Sequence, residues 1–435
     1  MTGRSAATSI WEAALAAADV GPLVRRAFER EGPFVRAGSL TVDLGEVDRV
    51  LLLGAGKASA GMAAAVEEIV GDRIAAGLVV VKDGYARPLV RARVVEAGHP
   101  VPDARGERAA AELLALAESA TDRDLIIFAL SGGASALLPA PAPPLSLEDK
   151  RQVTRLLLAA GANIHELNAV RKHLSLIKGG QLARAAAPAA VLTLALSDVV
   201  GNALDVIGSG PTAPDRTTFA DALRIVDRFA LRDRLPAAAV ERLQAGGRGE
   251  APETPKADDP MFARITNEVI GDNSLVVDAA AGRATLLGYR VEVLTRALAG
   301  EAREVAQRFV EHAKGSGPRS CLIAAGETTV TVRGEGNGGR CQEWALAAAL
   351  ALDGIDGITV LAAGTDGTDG PTDAAGAIAD GRSVARAIAG GIDPRRCLAD
   401  NDSYRVFARL GDLVVSGPTV TNLLDLYIAI VDRTE

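Results

Sequence analysis

The chain reads as an α/β protein of two α/β lobes, a Rossmann-like N-terminal lobe and a smaller mixed α/β C-terminal lobe. Three observations carry that expectation. Short apolar runs, most ending in Gly, Ser or Asp, recur along the sequence and are too short for helices. Longer Ala-rich stretches with helical patterning separate them, which is the signature of mainly parallel strands covered on both faces. The 435 residues are 48% hydrophobic and 23% charged, a globular balance, and the length suggests two or three domains.

Taken in chain order, Ser9 and Glu12 read as a capping box opening an amphipathic helix, in a start that lacks the apolar core and cleavage site of a signal peptide. Val50–Leu53, Leu78–Val81, Leu125–Leu130 and Val191–Leu196 read as buried strands of the first lobe. Residues 1–245 form that lobe, and residues 246–260, rich in Gly, Pro and charge, read as a linker. Residues 261–435 form the second lobe, with buried strands at Cys321–Ala325 and Ile358–Ala362. Antiparallel additions are expected at Thr329–Arg333 and Leu426–Val431. The longest apolar stretch, residues 185–196, falls short of the ~18 residues that span a bilayer.

Composition excludes several function classes. With 47 Lys and Arg against 55 Asp and Glu, the net charge of −8 argues against nucleic-acid and anionic-membrane partners, while leaving room for a local basic pocket. Three cysteines, an odd number in a long chain, argue against a disulfide framework and for a cytoplasmic protein. Neither CxxC nor HExxH spacing occurs, which argues against zinc.

Five stretches carry candidate chemistry. In residues 48–70 a strand runs into Gly54, Gly56 and Lys57 before a helix, a turn whose amides can approach an anion. It is neither a Walker A loop nor a GxGxxG fingerprint, because Ser59 stands where the last glycine would be, and a structural turn is the competing reading. Ser131, Gly132 and Gly133 repeat the arrangement after the strand at 125–130, with Ser131 as a plain N-cap the alternative. On a helix, Asn168, Arg171, Lys172 and Ser175 share neighbouring faces, a basic concentration in an acidic chain that suits an anionic substrate or a solvated surface. Asp198 stands at a strand's carboxyl end, where ligands gather in open α/β sheets, or else caps a helix. Finally, Glu327 follows a strand, Gly338, Gly339 and Arg340 open a helix, and Asp366, Asp369 and Asp373 lie in a Gly-rich loop suited to Mg²⁺ or to Asx turns. The sum matches phosphoryl transfer, in which a protein positions groups and offsets negative charge. No activated nucleophile is in view, since GxSxG is absent.

Together these stretches resemble the glycerate 2-kinase family with its MOFRL-type C-terminal domain. GAGKAS, AGHPVPD, LSGGASALL, LNAVRKHLSLIKGG, SDVVGNALDVIGSGPT, GETTVTVRGEGNGGRCQE, AAGTDGTDGPTDAAGA and GPTVTNLLDLYIAIV run in order from about residue 50 to 431. The resemblance implies ATP- and Mg²⁺-dependent phosphorylation of D-glycerate at its 2-hydroxyl, in a cleft between the lobes. It implies Lys57 and Arg340 as catalytic residues. Asp198 joins them as the group that orients or deprotonates the hydroxyl. Ser131, Gly132, Gly133, Arg171 and Lys172 are assigned to glycerate, with Arg171 gripping its carboxylate. Gly54, Gly56, Gly338, Gly339 and Glu327 are assigned to the nucleotide, and Asp198 and Asp366 to the metal. One departure stands out: Asn202 occupies a position where the family often has Asp. An NAD(P)H-dependent hydroxypyruvate reductase is the alternative activity, and a non-catalytic sugar-phosphate-binding protein is a third reading. The oligomeric state, a homo-oligomer included, is left open.

Overall fold

The computed structural model describes residues 2–433, which form two compact units. The first comprises residues 20–270. Its sheet is built from β1 (Arg49–Ala55), β2 (Ile74–Lys82), β3 (Arg93–Ala97), β4 (Asp124–Leu130), β5 (Ala190–Leu196) and β6 (Ile265–Gly271), in the order β3-β2-β1-β4-β5-β6. The pairings from β3 across to β5 are all parallel. This is the strand order of the doubly wound nucleotide-binding fold, whose ligand crevice opens where the order reverses, here between β1 and β4. Every residue of β4 is buried, which explains its unbroken apolar run. Helices Ser59–Val70 and Ala104–Glu118 follow β1 and β3, and a small antiparallel sheet, Glu29–Glu31, Phe34–Ala37 and Leu40–Asp43, precedes them. A separate helical cluster, including Ile164–His173 and Phe219–Arg228, buries Leu157, Leu167, Val170, Phe219 and Leu231.

The second unit comprises residues 1–19 and 271–435. Its strands are β7 (Arg290–Leu298), β8 (Ser320–Gly326), β9 (Ile358–Gly364), β10 (Gly376–Asp380), β11 (Leu413–Val414) and β12 (Asp425–Val431), ordered β7-β8-β12-β9-β10-β11. The expected strand at Leu426–Val431 is present. It is no edge addition: β12 runs antiparallel between β8 and β9 at the sheet's centre. Helix Arg340–Ala351 lies against this sheet and buries Trp344, which stacks edge-on with Phe309.

Four expectations need correction. Ser9 caps nothing: the first helix runs Gly3–Ala17 with Thr2 as its N-cap, and Ser9 Oγ accepts from Arg283 Nε at 3.0 Å. That helix belongs to the second unit, where Arg4 reaches Asp380 and Asp412 at 2.7 Å, so a boundary at 245 does not divide the chain cleanly. Residues 246–260 are no loose linker, because Glu253 accepts from the ring of buried His173 and Thr254 donates to Asp215, both inside the first unit. Thr329–Arg333 forms no strand. Glu301 satisfies it instead, taking hydrogen bonds from the Thr331 amide and hydroxyl at 3.1 and 3.0 Å.

Candidate active site

At the carboxyl ends of β1 and β4 two loops lock together. Lys57 N–H donates to Gly132 O at 2.9 Å, Ala58 N–H to Ser131 Oγ at 2.9 Å, and Ser131 N–H to Ala55 O at 3.0 Å. The amides of Gly56 and Ser59 are also bound within the protein, to Val80 O and Gly56 O. The first Gly loop therefore has no row of open amides to cradle phosphate. Gly56 is glycine because its φ is +135° and a Cβ would lie 2.1 Å from Ser131 Oγ. Gly54 sits within the ladder, where a Cβ would press on Val79 and Ala129 O at 3.1 and 3.2 Å. The interlock leaves Lys57 itself as the loop's chemical contribution. Its Cγ lies 3.5 Å, and the His99 ring 3.1 Å, from where a Cβ on Gly133 would stand. His99, passed over as a candidate in the sequence, thus shares this crevice. Ser131 Oγ is consumed as the acceptor from Ala58, and its helix, Ala134–Leu137, is too short to contribute a useful dipole. The amides of Gly132 and Gly133 donate to nothing among the described residues.

The basic segment separates into two groups. Asn168, Arg171 and Lys172 lie on helix Ile164–His173, but adjacent positions diverge by about 100° around a helix. Lys172, 2% exposed, turns toward Asp205 and Asp215 at 3.3 and 3.2 Å, so protein carboxylates neutralise it and it is not offered to a substrate. Arg171 turns the other way and donates to Ser135 Oγ. Ser135 Oγ lies 2.9 Å from Ser209 Oγ, which donates to Asn168 Oδ1 at 3.0 Å. Since Ser209 spends its only proton on Asn168, the Ser135 hydroxyl donates to Ser209, and the relay Arg171–Ser135–Ser209–Asn168 fixes the guanidinium without a carboxylate among the described residues. Burial lowers the Arg171 pKa to about 10. Asp198 lies half-buried just beyond β5. No helix starts there, so capping does not account for it. Asn202 has φ 55°, the left-handed region in which Asn is among the few comfortable side chains.

In the second unit the centre is Arg340, the first residue of its helix. Its Nε and Nη2 donate to Asp425 at 2.5 and 2.9 Å, and Nη1 lies 2.6 Å from Glu327. Burial alone would depress this guanidinium, but Asp425 and then Glu327 hold its pKa above the usual arginine value. Asp425 is 1% exposed. The antiparallel register explains its arrival: as the first residue of β12 it pairs with Gly326 and Gly364, the last residues of β8 and β9. The first residue of one strand therefore meets the loops leaving two others. A Cβ on Gly364 would stand 3.2 Å from Asp425 Oδ1 and 3.3 Å from Asp366 Oδ1, so both carboxylates crowd the same point. Leu424, just before Asp425, has φ 68°, a strained value for a bulky residue, and its carbonyl accepts from both the amide and hydroxyl of Thr365. Asp425 was not a candidate from the sequence, and only sheet register reveals it.

Gly338 and Gly339 are glycines because the protein fills the space a side chain would need. A Cβ on Gly339 would lie 2.3 Å from the Asp369 carboxylate, and one on Gly338 2.2 Å from Ser403 Oγ. Asp369 itself accepts from the Cys341 and Gln342 amides at 3.1 and 2.8 Å, occupying the helix terminus that a phosphate would want. Burial, opposed by those amides and reinforced by the Asp425 charge, raises the Asp369 carboxyl to about 7. Among the described residues no group of three His, Cys, Asp or Glu side chains forms a ready metal cage. Among the described residues no helix is long and apolar enough to cross a membrane.

Comparisons with known proteins identify the family. Residues 6–244 match a family described as a domain of unknown function, DUF4147, and residues 320–425 match the MOFRL family. The D-glycerate 2-kinase of Thermotoga maritima is 40% identical over 94% of this chain and 97% of its own length. The chain belongs to the glycerate 2-kinase family. A crystal structure of a glycerate kinase from the same organism superposes with a TM-score of 0.82 at 38% identity, covering 98% of this chain and 99% of that one. A protein of Agrobacterium vitis with a provisional hydroxypyruvate reductase name is 43% identical over 87% of this chain and 86% of its own. As in the glycerate 2-kinase relatives' names, the chemistry to be explained is phosphoryl transfer.

Proposed function

We propose that the protein transfers the γ-phosphoryl group of ATP to the 2-hydroxyl of D-glycerate, giving 2-phosphoglycerate and ADP. The observation that carries this reading is the pair of positioned cations: Lys57 at the switch point of a doubly wound sheet, and Arg340 gripped by Asp425 at the centre of the second sheet. Charge that develops on phosphoryl oxygens is best offset by donors that need not reorganise; Asp425 and Glu327 hold the Arg340 guanidinium in advance, and the interlocked loops fix the Lys57 backbone. Arg171 grips the glycerate carboxylate, since its planar fork suits two parallel hydrogen bonds and no protein carboxylate competes for it. Asp198 receives the hydroxyl proton as the oxygen attacks phosphorus and the bond to ADP breaks.

Mg²⁺ fits this residue set. Glu327, Asp366 and Asp425 outnumber the one guanidinium among them, and hard carboxylate oxygens suit an ion held mainly through nucleotide phosphates. When bound, such an ion neutralises phosphate charge, and Asp366 is a carboxylate that would hold it. Hydride transfer to hydroxypyruvate has less support, because the turn after β1 has Ser59 at the third fingerprint position and its amides are bound within the protein. The test is ADP release with D-glycerate run beside NADH oxidation with hydroxypyruvate, each with and without a chelator. Metal-dependent ADP release is expected. NADH oxidation that persists in chelator, without ADP release, overturns the reading.

A further inference from the structure

Two cationic side chains of the first unit, Arg171 and Lys178, meet at Ser135, and a third, Lys150, lies within electrostatic reach of both, with no carboxylate in salt-bridge contact among the described residues. Lys178, 1% exposed, donates from Nζ to Ser135 O at 2.7 Å, while Arg171 donates to Ser135 Oγ. Lys150, on helix Leu147–Ala159, is 8% exposed and its buried Nζ has no hydrogen-bond partner. Burying an ammonium with neither anion nor acceptor is costly, and burying it beside two more cations is costlier still. Nearby Lys172 shows the ordinary solution, two carboxylates within 3.3 Å. The Ser135 cluster lacks that solution. Its rim, Gly133, Ser135 and Arg171, is partly exposed, so a small ligand has a way in.

We propose that Lys150 and Lys178, together with Arg171, form an oxyanion pocket that receives the carboxylate of the hydroxy-acid substrate. This rests on the kinase reading for the identity of the anion, not for the existence of the pocket. Lys150 and Lys178 are binding residues beyond those legible in any motif, and the missing counter-charge is the substrate's own. The pocket also predicts a proton linkage. Burial, and then the Arg171 charge, lower the Lys150 pKa to about 7, with only Glu107 opposing. Burial, Lys150 and Arg171 push Lys178 well down too. The groups facing Lys150 are thus Arg171, Lys178 and Glu107, two cations against one carboxylate. A free pocket at pH 7.5 therefore has Lys150 largely neutral, and an entering carboxylate draws a proton onto it.

The experiment is calorimetric titration of the full chain with D-glycerate in two buffers of different ionisation enthalpy, on wild type, Lys150→Met and Lys178→Met, with thermal unfolding alongside. Wild type should take up protons on binding. Both variants should bind glycerate at least about 10-fold more weakly, since a charged hydrogen bond is lost, while ATP affinity changes less than about 2-fold. Removing a buried amine that has no hydrogen-bond partner should also raise the melting temperature of ligand-free Lys150→Met and shrink its shift on adding glycerate. A lysine that merely supports the fold would do the reverse. Unchanged glycerate affinity and proton uptake in Lys150→Met overturns the pocket and leaves the kinase reading intact. Wild type that binds inorganic phosphate with a Lys150-dependent proton uptake, but never phosphorylates glycerate, overturns the kinase reading and leaves an oxyanion pocket.

Discussion

Gly56→Ala is the sharpest probe of the interlocked crevice. The substitution adds one methyl group, yet the backbone there has φ +135°, and the nearest atoms to the new Cβ are Ser131 Oγ at 2.1 Å, Ser131 O at 2.5 Å and Ser131 C at 2.7 Å. Two of the three are backbone, so no rotamer change relieves the overlap, and the loops must part by roughly 0.9 Å to bring Ser131 O to ordinary contact near 3.4 Å. That movement breaks Lys57 N–H to Gly132 O and Ala58 N–H to Ser131 Oγ, each 2.9 Å now. Two hydrogen bonds are worth about 2 kcal/mol together. The unfavourable backbone adds roughly 1–2 kcal/mol. Alanine's smaller unfolded-state entropy offsets about 0.4–1 kcal/mol of this. The net loss is about 2–4 kcal/mol, read as a lower urea midpoint with an unchanged slope. Turnover should fall with it, because Lys57 rides on the displaced loop. A stability loss below about 0.5 kcal/mol with wild-type turnover would refute the interlock as the reason for glycine.

Other perturbations separate the roles. Lys57→Ala should cut kcat by about 10²–10³ with little change in the unfolding midpoint, and wild-type turnover removes its assignment. Arg340 calls for Lys rather than Ala, because Ala would strand buried Asp425; Arg340→Lys should fold, lose the fork on Asp425, and drop kcat by about 10² or more in a turnover assay. Arg171→Lys should raise KM for glycerate far more than KM for ATP, and equal changes in both sink the carboxylate grip. Lys172→Met should cost about 3–5 kcal/mol in chemical unfolding by leaving Asp205 and Asp215 unpaired, in contrast to Lys150→Met. Asp369 gives a pH signature: its carboxyl is raised to about 7 in the fold, so the folded state holds a proton the unfolded chain releases, and this group's stabilisation is full below pH 4 and fades by pH 7. Unfolding of Asp369→Asn across that window should lack the decline.

The sequence by itself determined the α/β class, the six buried strands, the two-lobed organisation and the family. Each of these rests on local signals: apolar runs bounded by Gly, Ser or Asp, and motifs contiguous in the chain. It also made Lys57, Arg171 and Arg340 visible as candidates, because a cation beside a glycine-rich turn or in a basic run can be seen in one line of text. The tertiary structure alone decided what those glycines are for. Gly56 and Gly339 accommodate Ser131 and Asp369, neighbours distant in sequence, and a glycine in text cannot say whether ligand or protein fills the space above it. Partnership was equally hidden. Arg171 and Lys172 are adjacent letters, yet helix geometry sends one to Ser135 and the other to Asp205 and Asp215. Asp425 reached Arg340 through an antiparallel register that no local pattern encodes, and Lys150 and Lys178 met Arg171 across separate segments. Charge compensation depends on distances in space, and those exist only once the chain has folded.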